Sequence, residues 1–167
     1  MTKASMLIVF GGLPGAGKTT IARELARQLG AVYLRIDSIE QAIRESGKSV
    51  HDEGYRVAYA LAADNLALGR TVVADSVNPL PVTRDAWIQV ATRAKAAVLE
   101  IEVVCSDTAE HRRRIESRTA DASGLILTWK AVTTRDYAPW DRDHIVLDTA
   151  TLSVEQSIAK IRAALTP

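Results

Sequence analysis

The sequence has one cysteine, few aromatic residues and almost no net charge. Its single cysteine, Cys105, cannot form a disulfide within the chain, and we expect it to be buried in a strand, in a reducing compartment. Aromatic residues make up 5% of the 167 residues, and 21 Lys plus Arg against 20 Asp plus Glu give a formal charge of +1. Both figures disfavour a groove that binds nucleic acid through stacking and charge. No apolar run approaches the roughly 20 residues that span a bilayer, and no secretory leader is evident, so we expect a cytoplasmic protein without a membrane span.

The chain does contain a regular alternation of short apolar runs with segments of helical periodicity, which predicts one domain over residues 1–167. The predicted strands are Met6–Phe10, Val32–Ile36, Thr71–Ala74, Val98–Cys105 and Ile145–Leu147. The predicted helices are Gly17–Leu29, Ser38–Ser46, Asp52–Leu68, Pro81–Lys95, Thr108–Arg118, Trp129–Tyr137 and Val154–Leu165. This order is typical of a three-layer α/β sandwich, in which helices cover both faces of a five-stranded parallel sheet. Such sheets bind ligands at the carboxyl ends of their strands.

The stretch GGLPGAGKTT lies between the first predicted strand and the first predicted helix. Gly12, Gly17, Lys18 and Thr19 match the P-loop pattern GxxxxGK[ST] in the context that the pattern requires. Its glycines let backbone N–H groups turn toward phosphate oxygens. We expect Lys18 to neutralise the β- and γ-phosphates of ATP and the Thr19 hydroxyl to bind Mg²⁺. The expected nucleotide-binding residues are Gly12, Pro14, Gly15, Ala16, Gly17, Lys18, Thr19 and Thr20.

Two aspartates end the second and third apolar runs, Asp37 in AVYLRID and Asp75 in TVVAD. Both are candidate site residues because the carboxyl ends of parallel strands meet at one edge of the sheet. The alternative for Asp37 is a helix N-cap, a role that Ser38 would also suit. For Asp75 the alternatives are a turn before Pro79 or the second carboxylate of an ATPase. Ser76 follows Asp75, so the acid that usually polarises a hydrolytic water is missing there.

A basic segment, EHRRRIESR, lies in the predicted helix Thr108–Arg118. Arg114 and Arg118 are four residues apart and are expected to share one helix face. A solvated basic helix is the ordinary explanation of such a run. The small-residue segment that follows favours a lid over about residues 114–128, which would bring an arginine to the transferring phosphoryl group.

Together these motifs resemble the small P-loop kinases of the nucleoside-monophosphate-kinase type. Within them the chain is similar to the branch that contains the phage-type polynucleotide 5′-kinase and bacterial AAA family ATPase kinases. The resemblance covers nearly the whole chain and is carried by GGLPGAGKTT, LRID, VVADSVNPLPVTRDAW, RIESR and TRDYAPWDRDHIVLDT. It implies a P-loop NTPase fold, Asp37 as the base that receives the proton of a substrate hydroxyl, and Asp75 as a substrate contact. It also implies that Arg118 is the lid arginine, that Arg114 lies beside the nucleotide, and that DTATLS holds adenine.

One position departs from the polynucleotide-kinase pattern. Those enzymes have an arginine three residues after the base, where it holds a phosphate of the acceptor, but here Glu40 occupies that position. Arg44, one helical turn further along, would compensate and is our second candidate substrate-binding residue in this helix. We therefore expect an ATP- and Mg²⁺-dependent phosphotransferase acting on a hydroxyl of a small molecule, such as a sugar acid, a nucleoside or an antibiotic. Two alternatives stay open: a polynucleotide 5′-kinase, and a nucleotide-binding regulatory ATPase module.

Overall fold

The computed structural model describes residues 5–118 and 126–165, within which five strands alternate with seven helices. In chain order the elements are β1 (Met6–Gly11), α1 (Lys18–Leu29), β2 (Val32–Arg35), α2 (Ile36–Glu45), α3 (Glu53–Ala67), β3 (Thr71–Asp75), α4 (Pro81–Arg93), β4 (Ala97–Val104), α5 (Thr108–Glu116), α6 (Trp129–Thr133), β5 (Ile145–Asp148) and α7 (Val154–Leu165). The predicted succession of strands and helices is confirmed. Within the described ranges, no helix has the length and apolar character that crossing a membrane requires.

The five strands form one parallel sheet in the order β2-β3-β1-β4-β5. The register aligns Phe10 at the end of β1 with Asp75 at the end of β3, and Arg35 at the end of β2 with the same aspartate. The chain leaves β1 into the segment 11–20, which we call the P-loop. Since all strands point the same way, the P-loop and the ends of β2 and β3 meet at one edge.

Two apolar layers hold helices on the two faces of the sheet, as the alternating side chains of β1 require. Ile8 and Phe10 belong to a buried cluster with residues of α1 and α7. Leu7 and Val9 point the other way, into a cluster that contains Trp87 of α4 and residues of α3. The three-layer α/β sandwich predicted from the sequence is confirmed.

Two element ends differ from the sequence predictions. β2 ends at Arg35, which is the N-cap of α2, so Asp37 lies in the first turn of that helix and is neither the strand end nor the cap. α2 begins at Ile36, which is buried at 3% exposure, one residue before Asp37. β4 ends at Val104, where its pairing with β5 ends, and Cys105 beyond it is only partly buried. The prediction of a buried strand cysteine is therefore wrong.

Arg84, a fully buried side chain of α4, connects the segment after α6 to the β3–α4 loop. Its guanidinium donates hydrogen bonds to four backbone carbonyls, two in the β3–α4 loop and two in the segment after α6; they belong to Asn78, Pro79, Ala138 and Pro139. The ring of Trp140 lies over the same guanidinium, with its centroid 4.3 Å from Cζ. Arg84 thus joins the loop beyond β3 to the chain that follows α6.

Candidate active site

The P-loop has the tight backbone that a phosphate cradle needs. Gly12, Gly15 and Gly17 all have positive φ, at 137°, 79° and 104°, a region that favours glycine. A Cβ on Gly12 would collide with the carbonyl oxygen of Val103, and one on Gly15 would lie 2.6 Å from Cδ1 of Ile115. Gly17 is the N-cap of α1 and has no side chain to cover the unpaired N–H groups of the first helical turn. The loop therefore presents backbone donors and the positive end of a helix dipole to a ligand.

Lys18, the first residue of α1, is folded back over this loop. Its side chain is buried, and Nζ donates a hydrogen bond to the carbonyl oxygen of Leu13 at 3.0 Å. Burial lowers the pKa of Lys18 to about 8, although the nearby charges of Asp75 and Asp37 act in the opposite direction. The lysine is consequently held where a bound phosphate would restore its ordinary protonation.

Thr19 is paired with Asp75 across the edge of the sheet. The Thr19 hydroxyl donates to Oδ2 of Asp75 at 2.8 Å, and the Tyr33 hydroxyl donates to the same oxygen at 2.7 Å. Asp75 is only 3% exposed. Burial, followed by the Asp75 carboxylate, raises the pKa of Tyr33, so its hydroxyl stays protonated and remains a donor. A hydroxyl and a carboxylate in contact are the hard oxygen donors that Mg²⁺ prefers, and the pair fits that ion.

Asp37 lies in the first turn of α2, two residues after the end of β2. Its side chain is 68% exposed, and its Oδ2 is 3.6 Å from Nη2 of Arg35. Nε of Arg35 is also 3.9 Å from Oδ2 of Asp75. Arg35 thus lies between the two aspartates. The sequence analysis missed both Arg35 and Tyr33, whose spacing of two places them on one face of β2 and was the available signal.

A cavity of about 1110 Å³ joins these groups. Seven residues named from the sequence line it: Pro14, Lys18, Thr19, Asp37, Arg44, Asp75 and Arg118. The lining residues that the sequence analysis did not assign to the site include Arg35, Gln41, Glu45 and Arg135, and also Glu40, which it named only as a departure. The predicted substrate, metal and lid residues are therefore neighbours around one space.

The two arginines of the predicted lid have different surroundings. α5 ends at Glu116, so Arg118 lies beyond the helix and lines the cavity, and the expected shared helix face is wrong. Arg114 instead donates to the hydroxyl of Thr149 at 2.8 Å, and that hydroxyl donates to the carbonyl of Ala16 at 2.6 Å. Arg114 therefore joins α5 to the P-loop through the segment DTATLS. Of the predicted lid, 114–128, residues 119–125 lie outside the described ranges.

Arg44 forms an ion pair with Glu40 on the same face of α2, with Nη2 3.1 Å from Oε2. Gly54 packs closely on Glu40, since a Cβ at Gly54 would lie 2.5 Å from Cγ of that glutamate. Burial raises the pKa of Glu40, and the charge of Arg44 opposes that rise. Glu40 thus already neutralises part of the positive charge of Arg44, the residue that was expected to compensate for this glutamate.

Known proteins of similar sequence include kinases. An uncharacterised protein of Mycobacterium tuberculosis is 29% identical over 160 residues, which cover 86% of this chain and 32% of that protein, so this chain spans about a third of its length. The cytidylate kinase of Methanopyrus kandleri is 26% identical over 191 aligned residues, covering 100% of this chain and 96% of the kinase.

The fold also has solved counterparts. The structure of the Mycobacterium tuberculosis APS kinase in complex with AMPPNP and APS is similar with a TM-score of 0.76 at 19% identity, covering 98% of this chain and 99% of that one. The sequence model of the AAA_33 family, described as an AAA domain, matches residues 7–135. That range includes the P-loop, both candidate aspartates and Arg118. The chain therefore belongs to the AAA_33 family and has the α/β P-loop kinase fold.

Proposed function

We propose that this chain is an ATP-dependent phosphotransferase that moves the γ-phosphate of ATP to a hydroxyl of a small molecule. The observation that carries the proposal is one cavity in which the P-loop lysine, the Thr19–Asp75 pair and the exposed carboxylate of Asp37 are neighbours. Pockets for one small ligand have volumes of about 300–1,000 Å³. The cavity of about 1110 Å³ is large enough for a second substrate beside the nucleotide phosphates.

On the nucleotide side, the P-loop N–H groups and the N-terminus of α1 bind the phosphates of ATP. Lys18 adds a positive charge beside them, while Thr19 and Asp75 are the residues that would hold Mg²⁺. When bound, Mg²⁺ supplies the charge that neutralises the β- and γ-phosphate oxygens. Asp75 is thereby assigned to the metal, rather than to the acceptor contact that the resemblance implied, because its oxygen faces the Thr19 hydroxyl.

On the acceptor side, Asp37 is the proposed general base. The hydroxyl oxygen of the acceptor bonds to the γ-phosphorus, its proton passes to the Asp37 carboxylate, and the bond from that phosphorus to the bridging oxygen of ADP breaks. The high exposure of Asp37 toward the cavity leaves the carboxylate accessible to an acceptor. Arg35, 3.6 Å from Asp37 and 3.9 Å from Asp75, is a positioning residue whose charge attracts both carboxylates.

Arg118 is the proposed electrostatic partner of the transferring phosphoryl group. It lines the cavity two residues beyond the end of α5. A guanidinium placed there stabilises charge that develops on the equatorial oxygens in the transition state. Arg114 is assigned a different part: its bonds to Thr149 support the loop proposed to hold adenine.

The proposal is tested by incubating the protein with γ-labelled ATP and Mg²⁺ and with a panel of sugar acids, sugars, nucleosides, aminoglycosides and a 5′-hydroxyl oligonucleotide. Label on a small molecule, in proportion to ADP formed and absent with Lys18→Ala, is the expected result. Label on the oligonucleotide alone would instead identify a polynucleotide 5′-kinase. ADP release that no acceptor stimulates would favour a regulatory ATPase module.

A further inference from the structure

Among the described residues that line the cavity, positive side chains outnumber negative ones. Its described lining includes five cationic residues, Lys18, Arg35, Arg44, Arg118 and Arg135, and four acidic ones, Asp37, Glu40, Glu45 and Asp75. In the reaction proposed above, the phosphates of ATP engage Lys18 and the transferring group engages Arg118. Three arginines of the lining, Arg35, Arg44 and Arg135, then remain to interact with the acceptor.

Two of these three arginines are already paired with acids. Arg35 lies 3.6 Å from Asp37 and 3.9 Å from Asp75, and Arg44 lies 3.1 Å from Glu40. The guanidinium of Arg135 has no acidic group within 4.0 Å among the residues that the structure describes. It is thus the cation of the acceptor region whose charge no described carboxylate balances.

Arg135 lines the same cavity as residues of α2 and of the P-loop. Burial raises the pKa of Glu40 on α2, and the charge of Arg135 is one of those that oppose this rise. Burial also lowers the pKa of Lys18, and the same arginine contributes to that lowering. Because Arg135 lines the same cavity as Lys18 and Asp37, a molecule whose hydroxyl meets Asp37 there has Arg135 in the wall around it.

The backbone that carries Arg135 is anchored. It follows α6 directly, and three residues later the N–H of Ala138 donates to the carbonyl of Pro79 at 2.9 Å. The buried guanidinium of Arg84 donates to the carbonyl of Ala138 at 2.7 Å and to that of Pro139 at 3.0 Å. An anchored support reduces the entropy that an arginine loses when it binds a ligand.

We propose that the acceptor carries a carboxylate or phosphate group in addition to its reacting hydroxyl, and that Arg135 binds this anionic group. The inference rests on the proposed kinase function and names the substrate class for it. The planar guanidinium forms two parallel charge-assisted hydrogen bonds with either anion. Glu40 and Gln41 of α2 also line the cavity, and their side-chain oxygens can accept hydrogen bonds from the other hydroxyls of such a molecule.

The test measures phosphoryl transfer from labelled ATP to matched pairs of acceptors that differ in one anionic group. D-gluconate against D-sorbitol tests the carboxylate, and D-glucose 6-phosphate against D-glucose tests the phosphate; further sugar and nucleoside pairs extend the panel. We expect kcat/KM for the anionic member to exceed that of its neutral partner by about tenfold or more, the size of a charge-assisted contact. The pair that shows the preference identifies which anion is bound.

The variant Arg135→Gln assigns the preference to this residue. We expect it to raise KM for the anionic acceptor about 10- to 100-fold and to change kcat by less than about threefold relative to wild type. The preference for the anionic acceptor over its neutral partner should disappear. Arg112→Gln, an exposed arginine of α5 outside the cavity, is the control at matched melting temperature. Equal use of both partners, or an unchanged KM in Arg135→Gln, overturns the inference and leaves the kinase proposal standing. Transfer to no acceptor, although ATP binds, overturns the proposed function and this inference with it.

Discussion

The hydroxyl of Thr19 donates a hydrogen bond of 2.8 Å to a buried carboxylate oxygen of Asp75. The contact joins the first turn of α1 to the end of β3, two elements that are 56 residues apart in the chain. It is possible because β1 and β3 are paired in register with Phe10 opposite Asp75. The same aspartate oxygen also accepts from Tyr33, so its position is held from two sides.

If this pair holds Mg²⁺, Asp75→Asn should raise the Mg²⁺ concentration needed for half-maximal transfer by about tenfold or more, because an amide is a weaker ligand than a carboxylate. Thr19→Ala should have a similar effect. The double variant should lose less free energy of Mg²⁺ binding than the two single variants lose in sum, since the two residues act as a unit. Mg²⁺ titrations of initial rate measure all three, with Asp64→Asn at an exposed position of α3 as the control. An unchanged Mg²⁺ requirement in Asp75→Asn would contradict the assignment.

Much of this edge of the sheet could be predicted from the sequence, because it is specified by patterns of residues that are close together in the chain. The GxxxxGK[ST] motif specifies a strand, a tight loop and a helix within 24 residues, and β1 and α1 lie where it places them. The apolar runs likewise indicated all five strands, because a parallel sheet buries both faces of each strand.

What could not be predicted depends on contacts between distant elements. The Tyr33–Asp75 bond exists only because β2 pairs with β3, and no local pattern specifies that strand order. The end of β2 at Arg35 follows from the same pairing, which is why Asp37 was assigned to the wrong element. Arg135 faces the cavity because Arg84 fastens the segment after α6 to the β3–α4 loop, and in the sequence alone Arg84 is one arginine among many.

The lowered pKa of Lys18 makes ATP binding proton-linked. The value of about 8, below the ordinary 10.5, means that the free protein loses this charge as the pH rises through about 8. Bound phosphate favours the charged amine and raises its pKa, so binding between about pH 8 and 10.5 takes up a proton. Calorimetry at about pH 9, in buffers of different ionisation enthalpy, should show an uptake of about half a proton or more.

The matched control is Lys18→Arg, whose charge does not titrate in this range. Because the charge at position 18 is constant in this variant, it should cause no change in ATP affinity between about pH 7.5 and 9.5. Proton uptake by the variant at about pH 9 should be close to zero. Equal proton uptake by the two proteins would show that another group is responsible and that the burial of Lys18 does not govern its charge.

The cavity position of Arg118 predicts a kinetic effect that an exposed arginine would not have. Arg118→Ala should lower kcat by more than it weakens ATP binding, because the proposed contact forms mainly in the transition state. Arg112→Ala removes a neighbouring guanidinium that pairs with Glu116 at 2.7 Å on the outside of α5. Steady-state kinetics and ATP affinity on both variants separate the roles. Equal effects of the two would mean that Arg118 is a solvated arginine with no part in phosphoryl transfer.

Arg84 is expected to be a stability residue. Arg84→Met retains an apolar stem but removes the buried guanidinium, which leaves the carbonyls of Asn78, Ala138 and Pro139 without this donor. The change should lower the free energy of unfolding by about 3–5 kcal/mol. Arg93→Met, at an exposed position of the same helix, should change it by no more than about 0.5 kcal/mol. Urea unfolding followed by circular dichroism measures both. A loss below about 1 kcal/mol in Arg84→Met would show that water replaces the guanidinium.

The proposed base provides the test that separates a kinase from a nucleotide-binding module. Asp37 lies in the first turn of α2 with its side chain 68% exposed, so Asp37→Asn should leave the fold and ATP binding nearly unchanged. Asparagine keeps the size and hydrogen bonding of the side chain but cannot accept the hydroxyl proton as a base. Transfer to the acceptor should therefore fall by about 10²- to 10⁴-fold, the range of general acid–base catalysis.

The Asp37 experiment compares single-turnover transfer by Asp37→Asn and by wild type at equal occupancy with ATP. Asp64→Asn, an exposed aspartate of α3, is the control for removal of one surface charge. ATP hydrolysis without acceptor supplies a second readout, because a base for the acceptor hydroxyl is not required for nucleotide binding. Wild-type transfer by Asp37→Asn at equal melting temperature would exclude Asp37 as the base and leave only a helix-dipole role in the first turn of α2.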